Sequence, residues 1–317
     1  MENALQINGV TRRYAGHTAV DQLSLTVPKG TIYGILGPNG AGKSTTLRMI
    51  MNIIMPDSGQ ISLLGADPRQ DRTVLRRVGY LPEERGLYKK MKVLDVIVFF
   101  AELKGVDRRD AISQAQDWLA RMDLSDWATR KVETLSKGMQ QKVQFITTVL
   151  HKPDVLILDE PQSGLDPVNQ EVLRDTILDA SREGRTVLFS THNMGQAEAM
   201  CEYVCIIARG RKVLDGKVRD IRRENRGDRF ELEFDAPSAA VDRFMETHGA
   251  FKHRVRNGLR WEVELRPGTD SRRLLSELSQ LDVPLSRFEH VEPSLHEIFV
   301  ERVTEDARFQ PEVVAHA

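Results

Sequence analysis

Gly37-Pro-Asn-Gly-Ala-Gly-Lys-Ser-Thr45 carries the densest chemistry in the chain. It fits G-x-x-x-x-G-K-[ST], with an apolar strand, TIYGIL, before it and a helical pattern, STTLRMIMNI, after it. Gly37, Gly40 and Gly42 let backbone N–H groups converge on phosphate oxygens, and Pro38, Asn39 and Ala41 complete the loop. Lys43 adds a point charge at β- and γ-phosphates, and Ser44, followed by Thr45, offers a hydroxyl to Mg2+. A second constellation, DVLILDEP, is a buried strand that ends in two carboxylates. Side chains alternate across a strand, so Asp159 and Glu160 cannot share one task. Asp159 suits the Mg2+ shell. Glu160 suits the γ-phosphate side, where it would orient or deprotonate an attacking water.

A third stretch, LSKGMQQKV, reads as a helix start with Ser136 as N-cap and Gly138 in the first turn. Such a start exposes backbone N–H groups and the positive end of a helix dipole, so it is a second anion site. Farther on come SGLD, with Asp166, and STHNMGQAE, with His192 directly after the strand TVLFS.

These residues need a scaffold, and the chain of 317 residues is long enough for two domains. Its composition, 40% apolar and 29% charged, is that of a folded globular protein. Forty-five basic residues against 46 acidic ones leave a net charge of −1, so there is no electrostatic case for nucleic-acid binding. No apolar run reaches the roughly 18–20 residues that span a bilayer. No basic flank followed by an apolar stretch opens the chain, so no secretory signal is expected. Cys201 and Cys205 lack the spacing and neighbours of a metal site and read as buried thiols of a reducing compartment.

The first ~215 residues alternate apolar strands with helical patterns, which predicts an α/β domain with a mainly parallel sheet. LQINGVTRRY and LSLTVPKGTIYGIL read as strands of a small β subdomain. From Val93 to about Leu150 the pattern is helical, an insertion between core strands. The cationic run from Arg209 to Arg229 reads as a solvated turn and linker, or alternatively as a contact with anionic lipid or a partner. The rest follows the order β-α-β-β-α-β, a ferredoxin-like pattern, with a hairpin signalled by Asn257-Gly258 and a closing helix in EPSLHEIFVERV.

The order of the motifs resembles the ATP-binding subunit of an ABC transporter. It runs from the glycine loop through a helical insertion to LSKGMQ, LILDEP, SGLD and the STHNMGQAE histidine. The last third resembles the extra domain on a subgroup similar to the bacterial sodium-efflux type. The expected architecture is an ABC-type P-loop NTPase core with a small β subdomain and a helical subdomain, plus a small α+β, ferredoxin-like domain. The expected boundaries are 1–215 for the ATP-binding domain, 216–228 for a linker, 229–303 for the accessory domain and 304–317 for a disordered tail.

The resemblance assigns further roles. Tyr14 matches the aromatic residue on which adenine stacks, and His192 the switch histidine at the γ-phosphate. Glu83 stands where the family usually has glutamine, a departure that leaves an oxygen ligand near Mg2+ and adds negative charge. Asp166 matches the loop that crosses to a partner subunit. Ser136 and Gly138 match the turn that closes over the nucleotide of the opposite subunit, with Lys137 and Met139 replacing the commoner glycine and glutamine. The implied chemistry is hydrolysis of ATP with Mg2+. The implied partners are a second ATP-binding subunit, identical or not, and a separate transmembrane permease, with the chain peripheral on the inner face of the membrane. The sodium-efflux likeness leans toward export. A soluble ABC-type ATPase acting on ribosomes, DNA or another protein machine is the alternative.

Overall fold

The apolar runs beside the chemical motifs are buried along their whole length, as strands covered on both faces must be. The computed structural model describes residues 2–84 and 86–305. The chain divides into two units, Met1–Val218 with Phe299–Ala317, and Arg219–Ile298. In chain order the first elements are β1 (Asn3–Tyr14), β2 (His17–Pro28), β3 (Ile32–Leu36), α1 (Lys43–Ile50), β4 (Ser58–Leu63) and β5 (Val78–Leu81). Three helices follow, α2 (Val93–Leu103), α3 (Arg108–Arg121) and α4 (Lys137–Val149). Next come β6 (Val155–Asp159), α5 (Pro167–Arg182), β7 (Thr186–Thr191), α6 (Met194–Met200), β8 (Tyr203–Ala208) and β9 (Arg211–Lys217).

The main sheet has the order β5-β6-β7-β3-β8-β9, parallel except for the β8/β9 pair. A second, antiparallel sheet, β2-β1-β4, is the small β subdomain. Its apolar residues, among them Leu5, Ile7, Val20 and Leu63, share one core with Leu47 and Ile50 of α1 and Ile35 of β3. The stretch from α2 to α4 is helical, with Asp107 capping α3 and Ser136 capping α4 through its hydroxyl on the Met139 amide, 3.2 Å. β6, β7 and β3 are neighbours, so their carboxyl ends bring Asp159, Thr191 and Leu36 to one edge. In open parallel sheets that edge is where ligands bind.

His151 follows α4 and has both ring nitrogens buried without a hydrogen-bond partner among the described residues. Burial, reinforced by the charges of Lys104 and Arg185, holds its imidazole down to about 4 from 6.5. The folded state therefore refuses a proton that the unfolded chain accepts. This contribution to stability is whole above 6.5 and is lost as pH falls toward 4. A His151→Gln variant is expected to lose less of its melting temperature than the parent between pH 7.5 and 5. Parallel losses in both proteins would show that other groups set the acid limit.

The chain continues with α7 (Val218–Glu224), β10 (Arg229–Phe234), α8 (Ala239–Thr247), β11 (Phe251–Asn257), β12 (Arg260–Leu265), α9 (Ser271–Leu278), β13 (Leu285–His290) and α10 (Leu295–Glu305). The sheet order β11-β12-β10-β13, antiparallel throughout, is the ferredoxin-like arrangement. Alternate residues Phe230, Leu232 and Phe234, with Trp261, Val263 and Leu265, pack on Val241, Met245, Leu274 and Leu278 of the two helices. The hairpin closes one residue later than its Asn-Gly signal suggests: Asn257 pairs with Arg260, so Gly258-Leu259 is the loop. Residues 216–228, read as a linker, contain the end of β9 and α7, because Val218 and Ile221 are apolar residues that are buried. Thr304 and Glu305, assigned to the tail, are the last residues of α10, and 306–317 lie outside the described residues.

Candidate nucleotide site

The glycine loop connects β3 to α1, and its backbone admits no side chains at two points. A Cβ at Gly37 would lie 2.1 Å from the Ile207 carbonyl oxygen, and one at Gly42, where φ is +105°, 2.4 Å from that of Ala19. Lys43 is buried and donates to the carbonyls of Gly37 at 2.8 Å and Pro38 at 3.2 Å. Its ammonium also stands 3.4 Å from Glu160 Oε1. The loop's own carbonyls thus hold the lysine where a phosphate would meet it.

Asp159 and Glu160 follow one another at the end of β6 but turn to different partners. Asp159 is fully buried, and its Oδ1 accepts from Ser190 Oγ at 2.5 Å and Ser44 Oγ at 3.2 Å. Its Oδ2 is buried with no partner among the described residues. An unsatisfied carboxylate oxygen beside a serine hydroxyl is a hard, all-oxygen donor set, and it fits Mg2+. Glu83 is exposed and lines the same cavity as Ser44 and Glu160. Among the described residues no three Asp, Glu, His or Cys groups gather as a metal set. Asp159 and Ser44 would be ligands from the strand end and the loop, Glu83 would offer a further oxygen from the cavity wall, and phosphate and water oxygens would complete the shell.

Glu160 adopts φ +47°, a left-handed conformation that costs a non-glycine residue roughly 1–2 kcal/mol. Its amide is fixed in the turn by Ser190, through the carbonyl at 3.2 Å and the hydroxyl at 3.1 Å. The conformation aims the carboxylate back over the loop. His192 Nδ1 lies 3.1 Å from both carboxylate oxygens, opposite the 3.4 Å contact with Lys43. One carboxylate, mostly shielded from solvent, is held between an ammonium and an imidazole.

Tyr14, Asn39 to Thr45, Glu83 and Glu160 line one cavity of about 410 Å3. His192 lines a second, of about 300 Å3, which shares Glu160. Ser136, Gly138 and Asp166 line neither. Ser136 caps α4, and Asp166 caps α5 through the Asn169 amide at 3.1 Å. Hydrogen bonds from Asn169 hold the Asp166 carboxyl below its ordinary range. Sequence reasoning missed His17, Ala19 and Ser190. His17 pairs with Tyr14 across the β1–β2 hairpin, a signal that the tight Ala15-Gly16 turn carried. Ser190 pairs with Asp159 across parallel strands far apart in sequence, which no local pattern reveals.

A cavity with a phosphate loop, a buried Mg2+-type carboxylate and a poised base is one that comparison with known proteins can name. The family model "ABC transporter" matches residues 20–163. The chain is 40% identical over 301 residues to the uncharacterized ABC transporter ATP-binding protein YhaQ of Bacillus subtilis, covering 94% of this chain and 98% of that one. The chain belongs to the ABC transporter ATP-binding proteins. As one of them it binds ATP and is an ATPase, the motor subunit of a transporter. A second model, "ATP-binding protein DrrA1-3-like, C-terminal domain", matches residues 216–303 of this ABC protein. The Nod factor export ATP-binding protein I of Paraburkholderia xenovorans is 36% identical over 216 residues, 68% of this chain and 71% of its own. Among solved structures, an ATP-binding subunit of an ABC transporter superposes with a TM-score of 0.66 at 28% identity, over 70% of this chain and 92% of that one.

Proposed function

We propose that the chain is the ATP-hydrolysing motor of an exporter, driving a separate membrane permease through ATP-dependent closure of two ATP-binding subunits. The observation that carries the reading is the Glu160 carboxylate poised between Lys43 and His192 beside the phosphate loop. No described helix is long and apolar enough to cross a membrane, so in this reading the transport path belongs to another polypeptide. Export is supported by the likeness to the Nod factor export ATP-binding protein I. The chain would then work on the inner face of the membrane.

In this reading each residue has a role that the geometry supports. Loop amides and Lys43 bind the β- and γ-phosphates, and Tyr14 supports the adenine. Mg2+, when bound, neutralises charge that develops between the β- and γ-phosphates. Asp159 and Ser44 would hold it. Glu160 takes a proton from the attacking water as the new oxygen–phosphorus bond forms and the bond to ADP breaks. His192 keeps the carboxylate oriented. Ser136 and Gly138, away from the chain's own cavity, would serve the nucleotide of the second subunit, with Asp166 beside the crossing. Closure stores ATP binding energy only because these contacts exist in the closed pair alone.

The test is affinity purification of the tagged chain from gently solubilised native membranes, with mass spectrometry of what accompanies it. A stoichiometric partner with several long apolar spans is expected. Recovery with ribosomal or DNA-associated proteins instead would overturn the transporter reading and leave the ATP site intact.

A further inference from the structure

Arg12 lies outside the nucleotide cavity, yet it holds one of the residues that lines it. Its guanidinium sits over the Tyr14 ring, 4.9 Å from the centroid. The same group donates from Nη1 to Asp57 Oδ1 at 2.8 Å and to the Met55 carbonyl at 3.1 Å. Asp57 is fixed in turn: its Oδ2 accepts from the Arg13 amide at 2.7 Å, and its own amide donates to the Thr11 carbonyl at 2.8 Å. The guanidinium is therefore anchored through Nη1 on Asp57 and the Met55 carbonyl while it lies over the ring. Tyr14 is 42% exposed, and it lines the cavity with His17 and the glycine loop.

We propose that Arg12 is a positioning residue for nucleotide binding, which fixes Tyr14 from behind so that its ring presents a preset face to the nucleobase. The proposal rests on the reading of Tyr14 as the base-stacking residue. An exposed tyrosine on a hairpin tip samples several rotamers, and a ligand that stacks on it must freeze them. A cation over the ring face removes that cost beforehand and leaves the second face for the base. The aid acts on the base alone, because the contacts that hold Lys43 in the phosphate loop run to Gly37, Pro38 and Glu160 and not to Arg12.

The consequence is a separation of two affinities. In the full-length protein, Arg12→Ala is expected to weaken ATP binding by roughly five-fold. Binding of inorganic tripolyphosphate, which has no base, is expected to stay unchanged, as is kcat at saturating ATP. Arg12→Lys, which keeps the charge but not the planar fork, should recover part of the ATP affinity. Equal losses for ATP and tripolyphosphate would overturn the proposal, since they would mean general damage to the domain. No loss for either would overturn it as well. Tyr14→Ala separates this from the reading beneath it. If Tyr14→Ala also leaves ATP affinity unchanged relative to tripolyphosphate, the stacking role of Tyr14 fails. If Tyr14→Ala weakens ATP alone while Arg12→Ala does not, only the positioning role fails.

Discussion

Replacing Glu160 by glutamine is expected to slow ATP hydrolysis roughly 10²–10⁴-fold while leaving ATP affinity close to that of the parent. The amide keeps the volume and the contact with His192 but cannot accept the proton of the attacking water. That range corresponds to about 3–5 kcal/mol of barrier. Binding is spared because the loop amides and Lys43 hold the phosphates independently, and the Lys43 ammonium keeps its bonds to Gly37 and Pro38. Single-turnover hydrolysis alongside equilibrium titration with MgATP separates the two quantities. Hydrolysis at the parental rate would remove Glu160 from the role of base. Lost affinity at an unchanged single-turnover rate would recast it as a binding residue.

Lys43→Ala is expected to have the opposite signature. A charge-assisted bond to phosphate contributes about 1.5–3 kcal/mol, so ATP affinity should fall roughly 10–100-fold. The loop carbonyls that Lys43 now satisfies would be left open, and Glu160 would lose one of its two flanking partners. A thermal-shift experiment reads the effect directly, because a ligand raises the melting temperature in proportion to RT ln(1 + [L]/Kd). MgATP should stabilise the parent and do little for the variant at the same concentration. Equal shifts in both proteins would contradict the assignment of Lys43 to the phosphates. The melting temperature without nucleotide shows whether the variant folds.

Much of this was legible in the residues themselves. The glycine loop lies between an apolar strand and a helical pattern, and that context located β3, the loop and α1 together. Four apolar residues running into Asp159 and Glu160 likewise fixed β6 and its carboxylates at one strand end. What escaped depends on pairing between distant segments. Ser190 meets Asp159 only because β6 and β7 are parallel neighbours, and Arg12 meets Asp57 only once β1 and the start of β4 are side by side. The run from 216 to 228 looked like a linker because its charges dominate its composition. Two apolar residues, Val218 and Ile221, are enough to fold part of it into a helix. The Asn257-Gly258 signal named the right hairpin and missed its register by one, since local sequence sets turn preference while strand pairing sets the closing pair.

The left-handed backbone at Glu160 places the two kinds of fitness a protein must satisfy in opposition at a single codon. Glycine there would relax the turn, and asparagine would tolerate it, so random drift gains folding stability by abandoning the carboxylate. Only the continued need for turnover holds glutamate in place. A lineage whose cassette no longer has to hydrolyse ATP is released at this residue first, and its sequence should show glycine or asparagine at 160 before any decay of the glycine loop. The residue is therefore a marker for whether a relative still runs as a motor.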